Sequence, residues 1–283
     1  MKQPWTIRDR QFHWGDRTYL MGVLNVTPDS FSDGGEFNTV ASALAQAQAM
    51  LEADVDLLDV GGESTRPGSE PVSEATEIAR VIPVIQALRQ DAAFAQTPIS
   101  IDTTKANVAA AAIAAGADIV NDISGGTFDP AMLPTVAQLQ VPIILMHIRG
   151  NPKVMQQMTD YVDLIGEVRL FLQTQIQAAI AAGIAADQIC LDIGIGFGKT
   201  VAQNLELLRE LRQFEDLDCP MLVGVSRKSF IGNLLNQPDA KQRSWGTAAA
   251  CTAAIAQGAD ILRVHDVAQM TDVARIADAI YRE

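Results

Sequence analysis

Short apolar runs rich in Val, Ile and Leu recur along the chain, each followed by a longer stretch of Ala, Leu and polar residues with helical character. Repetition of this pair is the pattern of βα units, in which parallel strands buried on both faces read as nearly continuous apolar runs and the helices between them cover the sheet. Eight runs meet the description, at residues 19–25, 55–60, 99–102, 119–121, 141–147, 189–192, 221–225 and 261–264. Eight is the number that closes a parallel sheet into a barrel. An open doubly wound sheet is the alternative, and it usually has fewer strands or a second domain. Helices are predicted at 41–52, 72–89, 105–115 and 245–257, where good helix formers leave small faces to lie on a sheet. Residues 5–16 alternate polar and apolar around Gly15-Asp16, which predicts a small hairpin closing the bottom of the barrel. No linker, charge block or low-complexity segment breaks the chain. The expected fold is therefore α/β: residues 1–283 form a single parallel (β/α)8 TIM barrel domain with a small N-terminal hairpin.

Composition narrows the function. The chain has 283 residues, 48% hydrophobic and 19% charged, enough for one large core. Its first residues are too polar for a signal segment and no apolar run is long enough to span a bilayer, so a cytoplasmic protein without a membrane partner is expected. The 3 cysteines, Cys190, Cys219 and Cys251, are far apart and lack Cys-x-x-Cys spacing, which points to buried thiols and not to a disulfide framework or a zinc site. A net charge of −13 repels nucleic acid and anionic membrane surfaces at long range, leaving small molecules as partners. An anionic substrate can still bind if a few cations and backbone N–H groups gather in one cleft.

Polar residues placed at strand ends show where such a cleft lies. They interrupt nearly every apolar run at its C-terminal end: Asn25, Asp59 and Glu63, Asp102, Asn121 and Asp122, His147, Asp192, Ser226-Arg227-Lys228, and Arg263 with His265. Any one could be a cap or a paired core group, but in a barrel these ends converge on the active-site face, and eight together describe one polar pocket. Two glycine-containing loops, 25–35 and 61–68, follow the first two strands and suit lids that exclude water. Gly194-Ile195-Gly196-Phe197-Gly198-Lys199 lacks the spacing of a phosphate-binding P-loop.

Met21-Gly22-Val23-Leu24-Asn25-Val26-Thr27-Pro28-Asp29-Ser30-Phe31-Ser32-Asp33-Gly34-Gly35 and Asp59-Val60-Gly61-Gly62-Glu63-Ser64-Thr65-Arg66-Pro67-Gly68 strongly resemble the two long signatures of the dihydropteroate synthases. Ile101-Asp102-Thr103, Asn121-Asp122-Ile123-Ser124-Gly125-Gly126, Met146-His147-Ile148-Arg149-Gly150, the glycine run 194–199, Ser226-Arg227-Lys228-Ser229 and Arg263-Val264-His265-Asp266-Val267 match later motifs in order, so the resemblance covers the chain from Tyr19 onward. It implies a transferase of folate biosynthesis that joins a pterin pyrophosphate to p-aminobenzoate and releases pyrophosphate. It implies a pterin pocket of Asp102, Asn121, Ile123, Met146, Asp192, Gly196, Phe197 and Lys228. Thr65, Arg66, Pro67, Phe197 and Ser229 would receive p-aminobenzoate, while Asn25, Arg263 and His265 would hold the pyrophosphate, with Asn25 also a ligand of Mg²⁺. Phe31, Asp33 and Arg66 would sit on the loop lids, and Asp102, Lys228, Arg263 and His265 would carry the catalytic roles. A homodimer through outer helices is the family expectation. His13 and His147 lack matching partners and read as structural.

The chemistry fits these residue types. The 2-amino pyrimidinone edge of a pterin is a row of N–H donors that a fixed carboxylate such as Asp192 accepts well, and Asn121 offers both a donor and an acceptor. Mg²⁺ keeps its waters and few protein ligands when substrate phosphates are present, so one amide is enough. The aryl amine is weakly basic, so assisting the leaving group matters more than deprotonating the nucleophile. The chain departs from the family at Ile193, where a proline commonly follows the aspartate; isoleucine restores a backbone N–H and a small local change is expected. Two other readings are a folate-binding corrinoid methyltransferase, which would not need loop 64–67 or residues 226–229, and a noncatalytic pterin-binding paralogue.

Overall fold

The computed structural model describes residues 2–27, 36–65 and 68–282, with 36–39 described by backbone alone. Among these residues, β1 (Trp5–Ile7) and β2 (Arg10–Phe12) form an antiparallel hairpin. The strands β3 (Tyr19–Asn25), β4 (Leu57–Gly61), β5 (Ile99–Asp102), β6 (Ile119–Asp122), β7 (Ile143–Met146), β8 (Ile189–Asp192), β9 (Met221–Val223) and β10 (Ile261–Val264) follow one another around a closed barrel in which β10 pairs with β3. Every barrel pairing is parallel. Helices α1 (Glu36–Glu52), α2 (Glu74–Gln90), α3 (Ala106–Ala115), α4 (Met132–Leu139), α5 (Leu164–Ala182), α6 (Val201–Arg209), α7 (Ser229–Leu235), α8 (Ser244–Ala256) and α9 (Val267–Tyr281) cover the outside. No helix among the described residues is long and apolar enough to cross a membrane.

The two-residue period of a strand sorts the barrel into an inner and an outer set. Leu20, Leu58, Ile101, Val120, Leu145, Leu191, Val223 and Leu262 face outward into the core shared with the helices. Tyr19, Met21, Leu57, Ile119, Ile144, Cys190, Leu222 and Ile261 face inward and pack against Trp5, Ile7 and Phe12 of the hairpin. The hairpin is thus the floor of the barrel. Continuing the inward parity toward the strand ends brings Asn25, Asp59, Asp102, Asn121, Met146, Asp192 and Arg263 to the mouth. The registers agree, since Asn25 pairs with Gly61, Gly61 with Asp102 and Asp102 with Asn121.

The expected hairpin, eight strands and four helices are all present, with shifts that have local causes. The hairpin turns at Arg8-Asp9, not at Gly15-Asp16, because Arg8 takes a left-handed φ of 57° and a two-residue turn of this hand matches strand twist. Residues 55–56 are not strand: the Asp56 carboxylate accepts from Leu20 N at 2.8 Å and from Arg17 Nη1 at 3.1 Å, tying the chain down before β4 begins. All three cysteines are buried. Ile193 belongs to the outer core, so its side chain points away from the barrel mouth.

Phe12 is 2% exposed and stacks beside Trp14 and Tyr19 with ring centroids 5.8 and 4.8 Å away. Replacing a buried phenylalanine by alanine costs about 3–5 kcal/mol. Phe12→Ala should lower the urea-unfolding free energy by that amount while leaving ligand binding at the opposite end of the barrel within twofold; a stability change below about 1 kcal/mol would show that the hairpin does not seal the core.

Candidate active site

Arg263, projecting inward from β10, organises the mouth. Its Nε donates to Asp59 Oδ2 at 2.6 Å and its Nη2 to Asp102 Oδ2 at 2.7 Å. Asn121 Nδ2 donates to the same Asp59 Oδ2 at 3.1 Å. Four strands, β4, β5, β6 and β10, are therefore cross-linked through one guanidinium. Across the barrel, Asp192 ends β8 and its Oδ1 accepts from Gly194 N at 2.7 Å. Lys228, at the N-cap of α7, donates to the Ile195 carbonyl and sets its ammonium 4.7 Å from the centre of the Phe197 ring. Gly196 has φ 85°, and a Cβ there would lie 3.0 Å from Lys228 Cδ, so this glycine permits the lysine to run flush against the loop. Ile123, Met146, Ile148 and Met155 form an apolar wall against which Phe197 packs.

The charges do not balance. Asp59, Asp102 and Asp192 face two cations, Arg263 and Lys228. Burial pushes the Asp102 carboxyl up to about 7, against the pull of Arg263 and with Asp59, Glu77 and Asp122 adding to the rise. Burial also raises Asp192, opposed chiefly by Lys228. It lowers Lys228 to about 8, although Asp192 favours the ammonium. Arg263 is driven the other way: its two carboxylate partners outweigh burial and hold the guanidinium firmly charged. Opposed shifts of this kind, gathered in a cleft, mark a functional site.

Other expected residues fall around this centre. Asn25 ends β3, and its Oδ1 and Asp102 Oδ2 both lie 3.6 Å from where a Gly61 Cβ would stand, so the glycine keeps a space open between them. His265 follows β10, its Nδ1 3.0 Å from Ser226 Oγ, which fixes the plane of the ring. Thr65 lines a cavity of about 250 Å³ with Asp102, Thr103, Lys105, Ile123 and Pro152. Ser229 is exposed at the first turn of α7. Neither Ser229 nor Phe197 lines that cavity, so the residues expected to receive p-aminobenzoate lie on two sides of the mouth. Phe31, Asp33, Arg66 and Pro67 lie outside the described residues. A larger cleft, about 440 Å³, opens at the other end of the barrel beside Arg17, Asp56 and Asp278, whose charges are already engaged: Arg17 with Asp56, and Asp278 with Thr18.

Residues 21–265 match the model of the pterin binding enzymes. The chain is 56% identical over 279 residues to the dihydropteroate synthase of Synechocystis sp., covering 99% of this chain and 96% of that one. The chain belongs to the dihydropteroate synthase family. Two solved dihydropteroate synthases from Xanthomonas albilineans superpose on it. One, with 4-aminobenzoic acid, is 42% identical with a TM-score of 0.91, covering 99% of this chain and 98% of that one. The other, in complex with 7,8-dihydropteroate, is 38% identical with a TM-score of 0.84, covering 96% of each.

Within this synthase fold, two functional groups carried no legible role in the sequence. Asp59 stood among the strand-end polar residues, but its partner Arg263 is 204 positions away. Lys199 is 3% exposed, and its Nζ lies 2.9 Å from His147 Nδ1, the Gly194 carbonyl and the Phe197 carbonyl alike. Those three contacts hold the loop that carries Phe197 and the Lys228 acceptor. Burial drives both Lys199 and His147 toward their neutral forms, and the neighbouring Lys199 lowers His147 further. His147 is buried, its ring packed edge-on against Phe171.

The raised Asp102 has a consequence for stability. In the unfolded chain this carboxyl loses its proton near its ordinary value of 3.8, whereas in the folded protein it keeps it to about 7. Between those values the folded state binds the extra proton, so stability falls as pH rises through the window. Asp102→Asn removes this dependence. Urea unfolding should show the variant gaining on the wild type from pH 5 to pH 8, by on the order of 2 kcal/mol at the upper end; parallel profiles would mean that Asp102 is not raised.

Proposed function

We propose that the protein joins 6-hydroxymethyl-7,8-dihydropterin pyrophosphate to p-aminobenzoate, giving 7,8-dihydropteroate and pyrophosphate for folate biosynthesis. The observation that carries this reading is Arg263, held charged between two carboxylates at the mouth of a barrel whose opposite wall offers Asp192, Lys228 and an apolar face. An anion-holding group and a wall with polar and apolar parts suited to a flat heterocycle then face one mouth, as the reaction requires.

In this reading Asp192 accepts from the N–H edge of the pterin, Lys228 donates to its oxo group or a ring nitrogen, and Ile123 and Met146 cover its flat faces. Arg263 and His265 take the diphosphate, and Thr65, Phe197 and Ser229 receive p-aminobenzoate together with Arg66 and Pro67. The methylene C–O bond breaks with its electron pair leaving on the diphosphate, the amine lone pair forms the C–N bond, and the surplus proton passes from nitrogen to the diphosphate or to water. Asp102, fixed by Arg263 and sparingly solvated, stabilises positive charge developing on the methylene more than it stabilises the neutral ground state.

Among the described residues no group of three His, Cys, Asp or Glu is placed to hold a metal ion. The donor set instead suits an ion carried largely by substrate phosphates: Asn25 Oδ1 beside the space that Gly61 leaves open. Mg²⁺ bound through Asn25 would neutralise charge on the departing diphosphate. The outer face also supports a homodimer, since Leu234 and Leu235 at the end of α7, Trp245 on α8, and Ile276 and Ile280 on α9 are all more than half exposed. Cytoplasmic residence completes the reading.

Incubation with the pterin pyrophosphate, p-aminobenzoate and Mg²⁺ should yield dihydropteroate; pterin binding without product would leave a noncatalytic pterin binder. In calorimetry, Asp192→Asn should weaken pterin binding by about 1–3 kcal/mol, the cost of leaving the ligand's donors without their acceptor, and unchanged affinity would remove Asp192 from the pocket. Asp102→Asn should lose roughly 10²–10³ in kcat with a smaller effect on binding. Equal losses in both would show that Asp102 acts on the ground state.

A further inference from the structure

Asp59 is fully buried, yet it sits one layer beneath the residues that would touch a ligand. Its Oδ2 accepts two bonds, from Arg263 Nε at 2.6 Å and from Asn121 Nδ2 at 3.1 Å, while its Oδ1 is buried and has no hydrogen-bond partner among the described residues. A carboxylate paired with a guanidinium only accepts. The amide of Asn121 can therefore present just one of its two faces to Asp59, the nitrogen, because its oxygen would meet another acceptor with no proton between them. The end of the amide turned from Asp59 is the oxygen.

We propose that Asp59 is a specificity-determining positioning residue: by fixing the amide of Asn121 it makes the pocket select a ring bearing an exocyclic amine over the same ring bearing an oxo group. This rests on the pterin-binding reading above and deepens it. With the amide locked, Asn121 Oδ1 on β6 and the Asp192 carboxylate on β8 are two acceptors facing the mouth, and Lys228 is a donor. A 2-amino-4-oxo pyrimidine supplies donors to both acceptors. A 2-oxo ring turns a carbonyl toward Asn121 Oδ1, and two acceptors face each other in a site sparingly supplied with water. A site built to receive an N–H rejects an analogue lacking it more strongly than one that merely fits its shape. Asp59 itself touches no ligand; its effect passes through Asn121, and in parallel it shares Arg263 with Asp102.

Replacing Asp59 by serine leaves a hydroxyl that can accept from Arg263 and still donate its proton, so the Asn121 amide can turn either way; asparagine would not free it, because Arg263 would keep the new amide oxygen at the position Asn121 meets. The test is calorimetry with 6-hydroxymethylpterin and 6-hydroxymethyllumazine, which differ by amine against oxo at position 2. The wild type should prefer the pterin. In Asp59→Ser that preference should shrink about tenfold, because the pterin binds more weakly and the lumazine gains. Asn121→Thr, whose hydroxyl can donate to Asp59 while leaving the Asp59–Arg263 pair intact, should lose the preference as well, and adding Asp59→Ser to it should change the ratio no further. Should Asp59→Ser fail to fold, Asp59→Thr carries the same expectation, since its hydroxyl also accepts and donates. Loss of affinity by one common factor for both ligands would overturn the proposal, because a disrupted Arg263 or a loosened barrel does not discriminate amine from oxo. So would a full effect of Asp59→Ser in the Asn121→Thr background. A wild type that binds neither ring overturns the substrate reading, and this inference with it; a wild type that prefers pterin beside an Asp59→Ser variant that keeps the same ratio overturns this inference alone.

Discussion

One guanidinium between two buried carboxylates sets the geometry of the barrel mouth. Arg263 is held by Asp59 and Asp102 at 2.6 and 2.7 Å, and Asn121 joins through the same Asp59 oxygen. Such an arrangement is costly to assemble, because each charge gives up water, and removal of one partner leaves an uncompensated buried charge worth about 3–5 kcal/mol. The compensation comes from a closed barrel. Its strands are cross-linked by parallel pairing on both sides, and its floor is filled by apolar side chains down to the hairpin. A rigid floor lets the two-residue period carry a polar layer to the mouth without admitting water below it. In a chain with a net charge of −13, this is also where the cations must be concentrated if an anionic leaving group is to be met.

The opposite wall depends on a buried lysine. Lys199 Nζ meets His147 Nδ1 and donates to the carbonyls of Gly194 and Phe197, and so shapes the turn from which the Ile195 carbonyl reaches Lys228. A side chain at Gly194 would run into the His147 carbonyl oxygen, and φ there is 69°, so the same turn needs glycine for space and for backbone hand. The two walls work by different means. Arg263 is fixed through charge shared with side chains, and Lys228 through a carbonyl and an aromatic face whose positions Lys199 sets.

Strand periodicity made the barrel legible, because parallel strands buried on both faces leave apolar runs that helices interrupt. Strand-end polarity made the mouth legible for a related reason: Asn25, Asp102, Asn121, Asp192 and Arg263 each break a run where it meets the open face. The pairing of those residues was not legible. Asp59 and Arg263 lie on β4 and β10, which flank β3 without pairing with each other, and no local pattern records a partner 204 positions away. Lys199 read as the end of a glycine run, since nothing in its neighbours announces that it is buried against His147. The hairpin turn was misplaced because glycine is the usual sign of positive φ, whereas here Arg8 takes that conformation and Gly15 serves the following turn. At Ile193 the side chain lies in the outer core, which explains why a residue unlike the family's proline can stand beside Asp192 without entering the mouth.

The most direct test of the central role of Arg263 is an Arg263→Lys variant, assayed for turnover and, by calorimetry, for binding of pyrophosphate with Mg²⁺ and of a pterin lacking the diphosphate. A lysine keeps the charge but is a single point, and it cannot reproduce the planar fork that reaches both Asp59 and Asp102. Turnover and pyrophosphate binding should each fall by roughly 10² or more, while pterin affinity stays within about threefold. Turnover within a few-fold of the wild type would contradict the account, since charge alone at this position would then suffice and the two-carboxylate clamp would not be what the mouth depends on.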